Sequence, residues 1–502
     1  MTSDTSERGL ERLICTVMTG GPCDPGTLGD TRIADAAVGY QAGLWIGGEP
    51  SDYDREYCVD LAQLTAFITA TQPTLVEPLG LTSDGPTRRQ FLSRLEGEIA
   101  SRGTIDVLRN GIKHGAHDLL LFFGTPTPGN TKAEDLNRQN RFSVSRQLRY
   151  SRDETNRALD LALFINGLPV ATFELKNSLT KQTVDDAIEQ YKRDRDPREK
   201  LFAFGRCAVH FAVDDHEVRF CTVLKGKGSW FLPFDKGWQD GAGNPPNPEG
   251  LKTAYLWQEI LTPASLTDIL ENYAQVVVEK DPKTGRKKRK QIWPRYHQLD
   301  AVRLLLEDAR NHGAGRRYLI QHSAGSGKSN SIAWVTHQLV GLQQDDEHIF
   351  DTVVVITDRR ILDQQIRATI KQFAQVASTI GAVTGDSGSK TKQLASFLAD
   401  GKKIIICTVQ TFPFVLDSIG GDHRGKRFAI IIDEAHSSQG GKASASLSMA
   451  LAEREHGDDD QEEDTTEDQI NRIMEGQQAA AQRLLLRLHR HSLCSLEFED
   501  HR

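Results

Sequence analysis

The run Arg317-Tyr318-Leu319-Ile320-Gln321-His322-Ser323-Ala324-Gly325-Ser326-Gly327-Lys328-Ser329 decides the fold class. Its first six residues are a β-rich run, the next five are all small, and Ser329 to Leu342 then places apolar residues at mixed spacings of three and four. A strand that turns through glycines straight into a helix is the context of a phosphate-binding loop. Backbone N–H groups there turn towards phosphate oxygens, and the helix N-terminus adds partial positive charge. Gly325, Ser326 and Gly327 are expected to cradle phosphates, Lys328 to reach the β and γ phosphates, and Ser329 to hold Mg2+. His322 stands where the first glycine of GxxxxGK[ST] would be.

Outward from this loop, three more β-rich runs follow: Thr352 to Thr357, Lys403 to Thr408 and Phe428 to Ile432. Helical spacings at Ser329 to Leu342 and Ile361 to Ala374 separate the first of them, so strands alternate with helices. That order predicts a parallel sheet covered on both faces, with functional residues at the carboxyl ends of its strands. One hundred and five positions after Lys328, the last run enters Asp433-Glu434-Ala435-His436. A carboxylate there can contact Mg2+ through water, and its neighbour Glu434 can orient and deprotonate an attacking water. Adjacent acids at a buried strand end are costly unless they have such partners.

With these two motifs the chain resembles the first motor domain of superfamily two helicases and translocases. The resemblance implies ATP as cofactor and nucleotide contacts from Asp433 and His436. It makes Pro294 to Ala301 an adenine-reading segment, in which the Gln298 amide can both donate and accept. It also implies that Thr357 and Arg359, after the second strand, and Thr408, Gln410 and Thr411, after the third, grip a nucleic-acid backbone.

A second constellation lies upstream. Arg157 to Lys176 reads as two strands around Asn166-Gly167. If the loop has three residues, positions summing to 334 face one another, and Asp160 lies opposite Glu174 with Lys176 on the same face. A two-residue turn places Phe173 opposite Asp160 and sends the acids to opposite faces. In the first register the carboxylates stand roughly 5 Å apart at Cβ and need a cation, which suits Mg2+ held by Asp160 and Glu174, with Lys176 positioning or activating water.

D-x13-E-x-K across a hairpin resembles the core of restriction-endonuclease-like nucleases. Asn166-Gly167-Leu168-Pro169 with Phe173-Glu174-Leu175-Lys176-Asn177, upstream of a motor, resembles the nuclease of the restriction (R) subunit of type I restriction-modification enzymes. That family carries a Gln and a Tyr spaced QxxxY on the following helix. Gln190 fits and joins the catalytic set, while Tyr191 is adjacent and Asp194 holds the fourth place. Glu11, on a possible first helix, reads as a surface acid before a further ligand.

The resemblance implies a restriction-endonuclease-like domain followed by a RecA-like parallel-sheet P-loop domain. It implies an ATP- and Mg2+-dependent endonuclease subunit that cuts unmodified double-stranded DNA after translocation, in complex with modification and specificity subunits. Two other readings stay open: a repair nuclease-helicase acting without those subunits, and a non-catalytic DNA-binding fragment of the complex. The family's Ser/Thr-Ala-Thr segment and second motor domain do not follow the DEAH strand. The chain therefore reads as a truncated or frameshifted subunit, defective as a motor, with an open sheet edge and poor solubility. Gln482 to His491 is expected to be partly helical.

The domain boundaries expected are 1–275 for the nuclease, with its core at 157–194, 276–292 for a basic linker, 293–450 for the ATP-binding domain and 451–502 for an acidic tail. The linker rests on Glu279 to Gly285 followed by five basic residues, Arg286 to Lys290; a phosphate contact is the functional alternative to a solvated loop. The tail carries 14 Asp and Glu against 6 Arg, which accounts for the whole formal charge of −8. Within it, Gly457 to Asp468 has the composition of disorder.

The remaining 450 residues are balanced, so net charge neither supports nor excludes a DNA partner. Seven scattered cysteines without a CxxC pair argue against a disulfide framework and a structural zinc site. No apolar run is long enough to span a bilayer, and a cytoplasmic location is expected.

Overall fold

A computed structural model of the chain describes residues 7–21, 44–153, 157–239, 241–280, 284–322, 326–357, 366–367, 369–371, 380–383, 389–408, 411, 426–433, 483–490 and 495–498. The chain divides into two units, Met1–Tyr296 and His297–Arg502.

The first unit is built on a seven-stranded sheet whose strands lie side by side in sequence order. They are β1 (Ile46–Gly48), β2 (Phe142–Arg149), β3 (Ala158–Ile165), β4 (Leu168–Leu175), β5 (Val209–Val213), β6 (Val218–Cys221) and β7 (Leu232–Pro233). β1 with β2 and β4 with β5 are parallel, and the other neighbours are antiparallel. Every residue of β4 and all but the first of β3 are buried, so both faces of the central hairpin are covered. Such strands read as nearly unbroken apolar runs, and the acids embedded in them stand out.

The hairpin combines the two registers open from sequence. Its turn has two residues, Asn166 and Gly167, both at positive φ (51° and 81°), and Ile165 pairs with Leu168. A bulge between Leu163 and Phe164 then shifts the ladder, so that Leu163–Ala171, Ala162–Thr172 and Leu161–Phe173 obey the sum of 334. Only glycine fits at 167, where an added Cβ would stand 2.4 Å from the Asp60 carbonyl oxygen. Asn166 is wholly buried; its side chain donates to the Leu121 carbonyl and accepts from the Arg141 N–H.

The segment 276–292, expected as a linker, is mostly a second hairpin, β8 (Gln275–Lys280) and β9 (Lys287–Ile292), with six antiparallel pairs.

The second unit carries a sheet of β10 (Arg317–His322), β11 (Thr352–Thr357), β12 (Ile380–Ala382), β13 (Ile404–Thr408), β14 (Phe428–Asp433), β15 (Arg483–Arg490) and β16 (Ser495–Phe498). Its order is β12-β13-β11-β14-β15-β10-β16, parallel except for β16. Four of these strands lie within one residue of their expected bounds, and the helix Lys328–Gly341 follows β10 directly. Most of Ile361 to Ala374 lies outside the described residues.

One expectation for the tail is corrected. Arg483–Arg490 is strand, not helix, and it fills the place between β14 and β10, pairing with both along its length. Leucine and arginine have good helix propensity, but pairing on both sides overrides it.

Cys58, Cys207, Cys221 and Cys407 are buried free thiols. Among the described residues no helix is long and apolar enough to cross a membrane.

Candidate functional site

In the first unit the ladder obeys the sum of 334 up to Leu161–Phe173, one position short of Asp160 and Glu174, and the Asp160 charge acts on Glu174. Asp160 is nearly buried, and its Oδ2 accepts a hydrogen bond of 2.7 Å from the Leu175 N–H. Glu174 is fully buried; its Oε1 accepts from Arg195 Nε at 2.5 Å, and its Oε2 has no hydrogen-bond partner. Burial and the charge of Asp160 push the Glu174 carboxyl up to about 8, against the pull of Arg195 and Lys176. Lys176 is buried at the end of β4, and its backbone N–H donates to the Val213 carbonyl.

One residue at this site, Arg195, was not foreseen, and a second, Glu11, was read as a surface acid before a further ligand. Arg195 follows the helix Val184–Asp194; besides Glu174 it donates to the Ala158 carbonyl at 2.8 Å and lies over the Tyr150 ring. Glu11, expected at the surface, is 1% exposed on the helix Glu7–Thr19. It accepts from Gln147 at 2.6 Å and stands 3.6 Å from Arg146. Burial and the Asp160 charge raise its carboxyl to about 7. Its signal was positional: Glu11 shares the helix face of buried Ile14, Cys15 and Met18, at spacings of three, four and seven.

Gln190 is half-buried on the helix Val184–Asp194, and Tyr191 beside it is fully buried, its hydroxyl 2.8 Å from Thr172 Oγ1. Thr172 in turn meets His210 Nδ1 at 2.7 Å, so Tyr191 belongs to a core network under the hairpin. Burial holds the His210 imidazole far below its usual range, at about 3.

The residues present suit a divalent cation. Among the described residues no three His, Cys, Asp or Glu side chains cluster tightly enough to make a metal cage. A buried carboxylate raised by the charge of a second one and carrying an orphaned oxygen fits Mg2+, which takes one or two carboxylates and fills its shell with water and phosphate oxygens.

In the second unit β10 delivers the chain to the loop and Gly327 caps the following helix at φ 90°. Gln298 Nε2 donates to the Gly327 carbonyl at 2.9 Å, and a Cβ on Gly327 would strike that amide at 2.5 Å. The amide expected to read adenine is thus also tied to the phosphate loop. His322, in place of the loop's first glycine, is buried and meets Ser326 Oγ at 3.0 Å; burial and the nearby His297 and Lys328 keep its ring neutral, its pKa lowered to about 3.

Lys328 Nζ lies 2.8 Å from Asp433 Oδ1, joining the two motifs across 105 positions. Ser329 is half-buried on the first turn of the helix. Thr357 and Thr408 are buried partners at the ends of β11 and β13, and Thr408 and Thr411 hydroxyls stand 3.3 Å apart. Gly325, Arg359, Gln410, Glu434 and His436 lie outside the described residues.

Residues 125–229 match the family described as Type I restriction enzyme R protein N terminus, and residues 297–456 match SWI2/SNF2 ATPase. The Type I restriction enzyme HindI endonuclease subunit of Haemophilus influenzae is 26% identical over 317 residues, covering 60% of this chain and 28% of its own length. The SauCOLORF180P endonuclease subunit of Staphylococcus aureus is 26% identical over 312 residues, covering 60% of this chain and 30% of its own. Among solved structures, T4 UvsW matches with a TM-score of 0.25 and 16% identity over 39% of this chain and 30% of that one. The chain spans less than a third of the length of the curated relatives it matches. The carboxylate hairpin lies inside the first matched region and the Lys328–Asp433 pair inside the second, so the two sites fall in stretches similar to the type I restriction enzyme R protein N terminus and to SWI2/SNF2 ATPases.

Proposed function

We propose that this chain carries the nuclease centre and the nucleotide site of an ATP-dependent type I restriction endonuclease, acting on unmodified double-stranded DNA together with modification and specificity subunits. The observation that carries the reading is the burial of Asp160 and Glu174 on neighbouring strands of one hairpin, close enough for the Asp160 charge to act on Glu174, with Glu174 Oε2 unpartnered.

In this reading Asp160 and Glu174 hold Mg2+, which when bound supplies Lewis-acid polarisation of the scissile phosphate. Lys176 orients the attacking water. Water adds to phosphorus while the bond to one ester oxygen breaks, leaving a phosphomonoester and a hydroxyl. Arg195 keeps one oxygen of Glu174 fixed, and Gln190 lies on the helix that leads into it.

At the second site Lys328 would bind ATP phosphates at the expense of its contact with Asp433, and Asp433 and Ser329 would hold Mg2+, which when bound would offset phosphate charge. Glu434 activates the hydrolytic water, Gln298 reports adenine to the loop, and His436 completes the nucleotide contacts. Translocation uses Thr357, Arg359, Thr408, Gln410 and Thr411 on the DNA backbone.

The test is cleavage of unmodified plasmid by the chain with its modification complex, ATP and Mg2+. Loss of cleavage on Asp160→Ala, with nucleotide binding kept, supports the reading. Equal cleavage by that variant overturns it.

A further inference from the structure

The basic run Arg286 to Lys290 is not a loose linker but the outer end of a hairpin fixed to the nuclease unit. The inner end is buried and bound. Gln291 Nε2 donates to the carbonyls of Cys207 at 2.7 Å, Ala208 at 2.8 Å and Thr222 at 3.1 Å. Val277 and Ile292 are buried, and the Arg289 guanidinium lies 4.8 Å above the Phe204 ring and donates to the Ala100 carbonyl. One cation of the five thus serves as an anchor.

The other four, Arg286, Lys287, Lys288 and Lys290, are exposed. Compensation is sparse. Lys290 stands 3.6 Å from Glu279, while among the described residues Arg286, Lys287 and Lys288 make no side-chain ion pair. Across the ladder Lys288 is paired with Glu279 and Lys290 with Val277. A flexible loop would let these charges spread; the ordered ladder holds them in place. Exposed cations fixed on an ordered hairpin suit the polyanion that the nuclease reading supplies, a duplex with one negative charge per about 1.7 Å of axis.

We propose that Arg286, Lys287, Lys288 and Lys290 form a sequence-independent contact for the phosphate backbone of duplex DNA, outside the cleavage centre. The inference rests on the nuclease reading and adds a surface to it.

The experiment compares the full chain with the triple variant Arg286→Ala, Lys287→Ala, Lys288→Ala, which spares Arg289 and Gln291. Fluorescence anisotropy of an unmodified duplex across a KCl series reads affinity and its salt slope. Each lost phosphate contact removes about 0.9 from the slope of log K against log salt, so a fall of roughly 2 to 3 is expected, with weaker binding at every salt concentration. Should the triple variant lose its fold by circular dichroism, Lys288→Gln alone is expected to remove about 0.9. Unchanged affinity and slope in a folded variant overturn the inference, leave the nuclease reading standing and assign the hairpin to a protein partner. Weakened binding by the variant together with no cleavage by the unaltered chain overturns the nuclease reading and keeps the surface. Failure of the unaltered chain to bind duplex overturns both.

Discussion

The two sites handle charge in opposite ways. At the Asp160 hairpin burial and the Asp160 charge raise the carboxyls of Glu11 and Glu174, against the pull of Arg146, Arg195 and Lys176. At the nucleotide loop the cation is already matched, because Lys328 rests on Asp433 at 2.8 Å. A ligand completes the first site and must break a contact at the second. The difference follows from connectivity as well. Asp160 and Glu174 are neighbours on one hairpin, whereas Lys328 and Asp433 meet only after a parallel sheet has formed.

The sharpest way to break this comparison is reciprocal inactivation. Asp160→Ala is expected to abolish duplex cleavage and leave nucleotide binding intact, and Lys328→Ala to abolish nucleotide binding and leave the chain's Mg2+ affinity unchanged. Plasmid nicking, fluorescent-nucleotide titration and Mn2+ titration read the outcomes; either substitution silencing both sites would refute their independence. Next in size, Arg195→Met strands the buried Glu174 and is expected to cost about 3–5 kcal/mol in urea unfolding. The double replacement Arg195→Met, Glu174→Leu should restore much of that stability.

Acid separates the buried histidines from the carboxylates. His210 is neutral when folded but takes up a proton in the unfolded chain below its usual value of 6.5. Its contribution is therefore full above about pH 6.5 and is lost as pH falls towards 3, at about 1.4 kcal/mol per pH unit. His322 has the same sign in the other unit. Melting temperatures from pH 7 to 4 should fall less steeply in His210→Asn; an unchanged slope would show that His210 is not the group responsible. The smallest effect is expected at the turn. Gly167→Ala forces a side chain onto the Asp60 carbonyl at positive φ and should cost more than about 1 kcal/mol, measured by urea unfolding.

Legibility in the sequence followed how local each feature is. The P-loop strand, its helix and the acid strand were readable because glycine spacing and apolar runs are properties of short segments. The facing of Asp160 and Glu174 was readable only as one of two registers. The deciding bulge at Leu163/Phe164 leaves no mark in residue type, and its effect is to reconcile a two-residue turn with the register of a three-residue one.

Arg195 was missed because an arginine past a helix end looks solvated until its buried carboxylate partner is seen. The hairpin at 275–292 was missed for the complementary reason: a charge run signals exposure, which Lys287 and Lys288 have, but says nothing about backbone pairing. Strand Arg483–Arg490 needs partners more than fifty residues away on one side and more than one hundred and fifty on the other, beyond any local pattern.

That last strand has a consequence for biogenesis. β10 and β14 leave the ribosome well before β15, the strand that joins them, so the nascent sheet has two unsatisfied parallel edges where its middle will be. Sheets closed by such distant pairings fold slowly and expose unpaired edges while they wait. Pulsed hydrogen exchange during refolding should therefore show the amides of β10 among the last in their sheet to gain protection, later than those of β11, whose neighbours β13 and β14 are both made earlier.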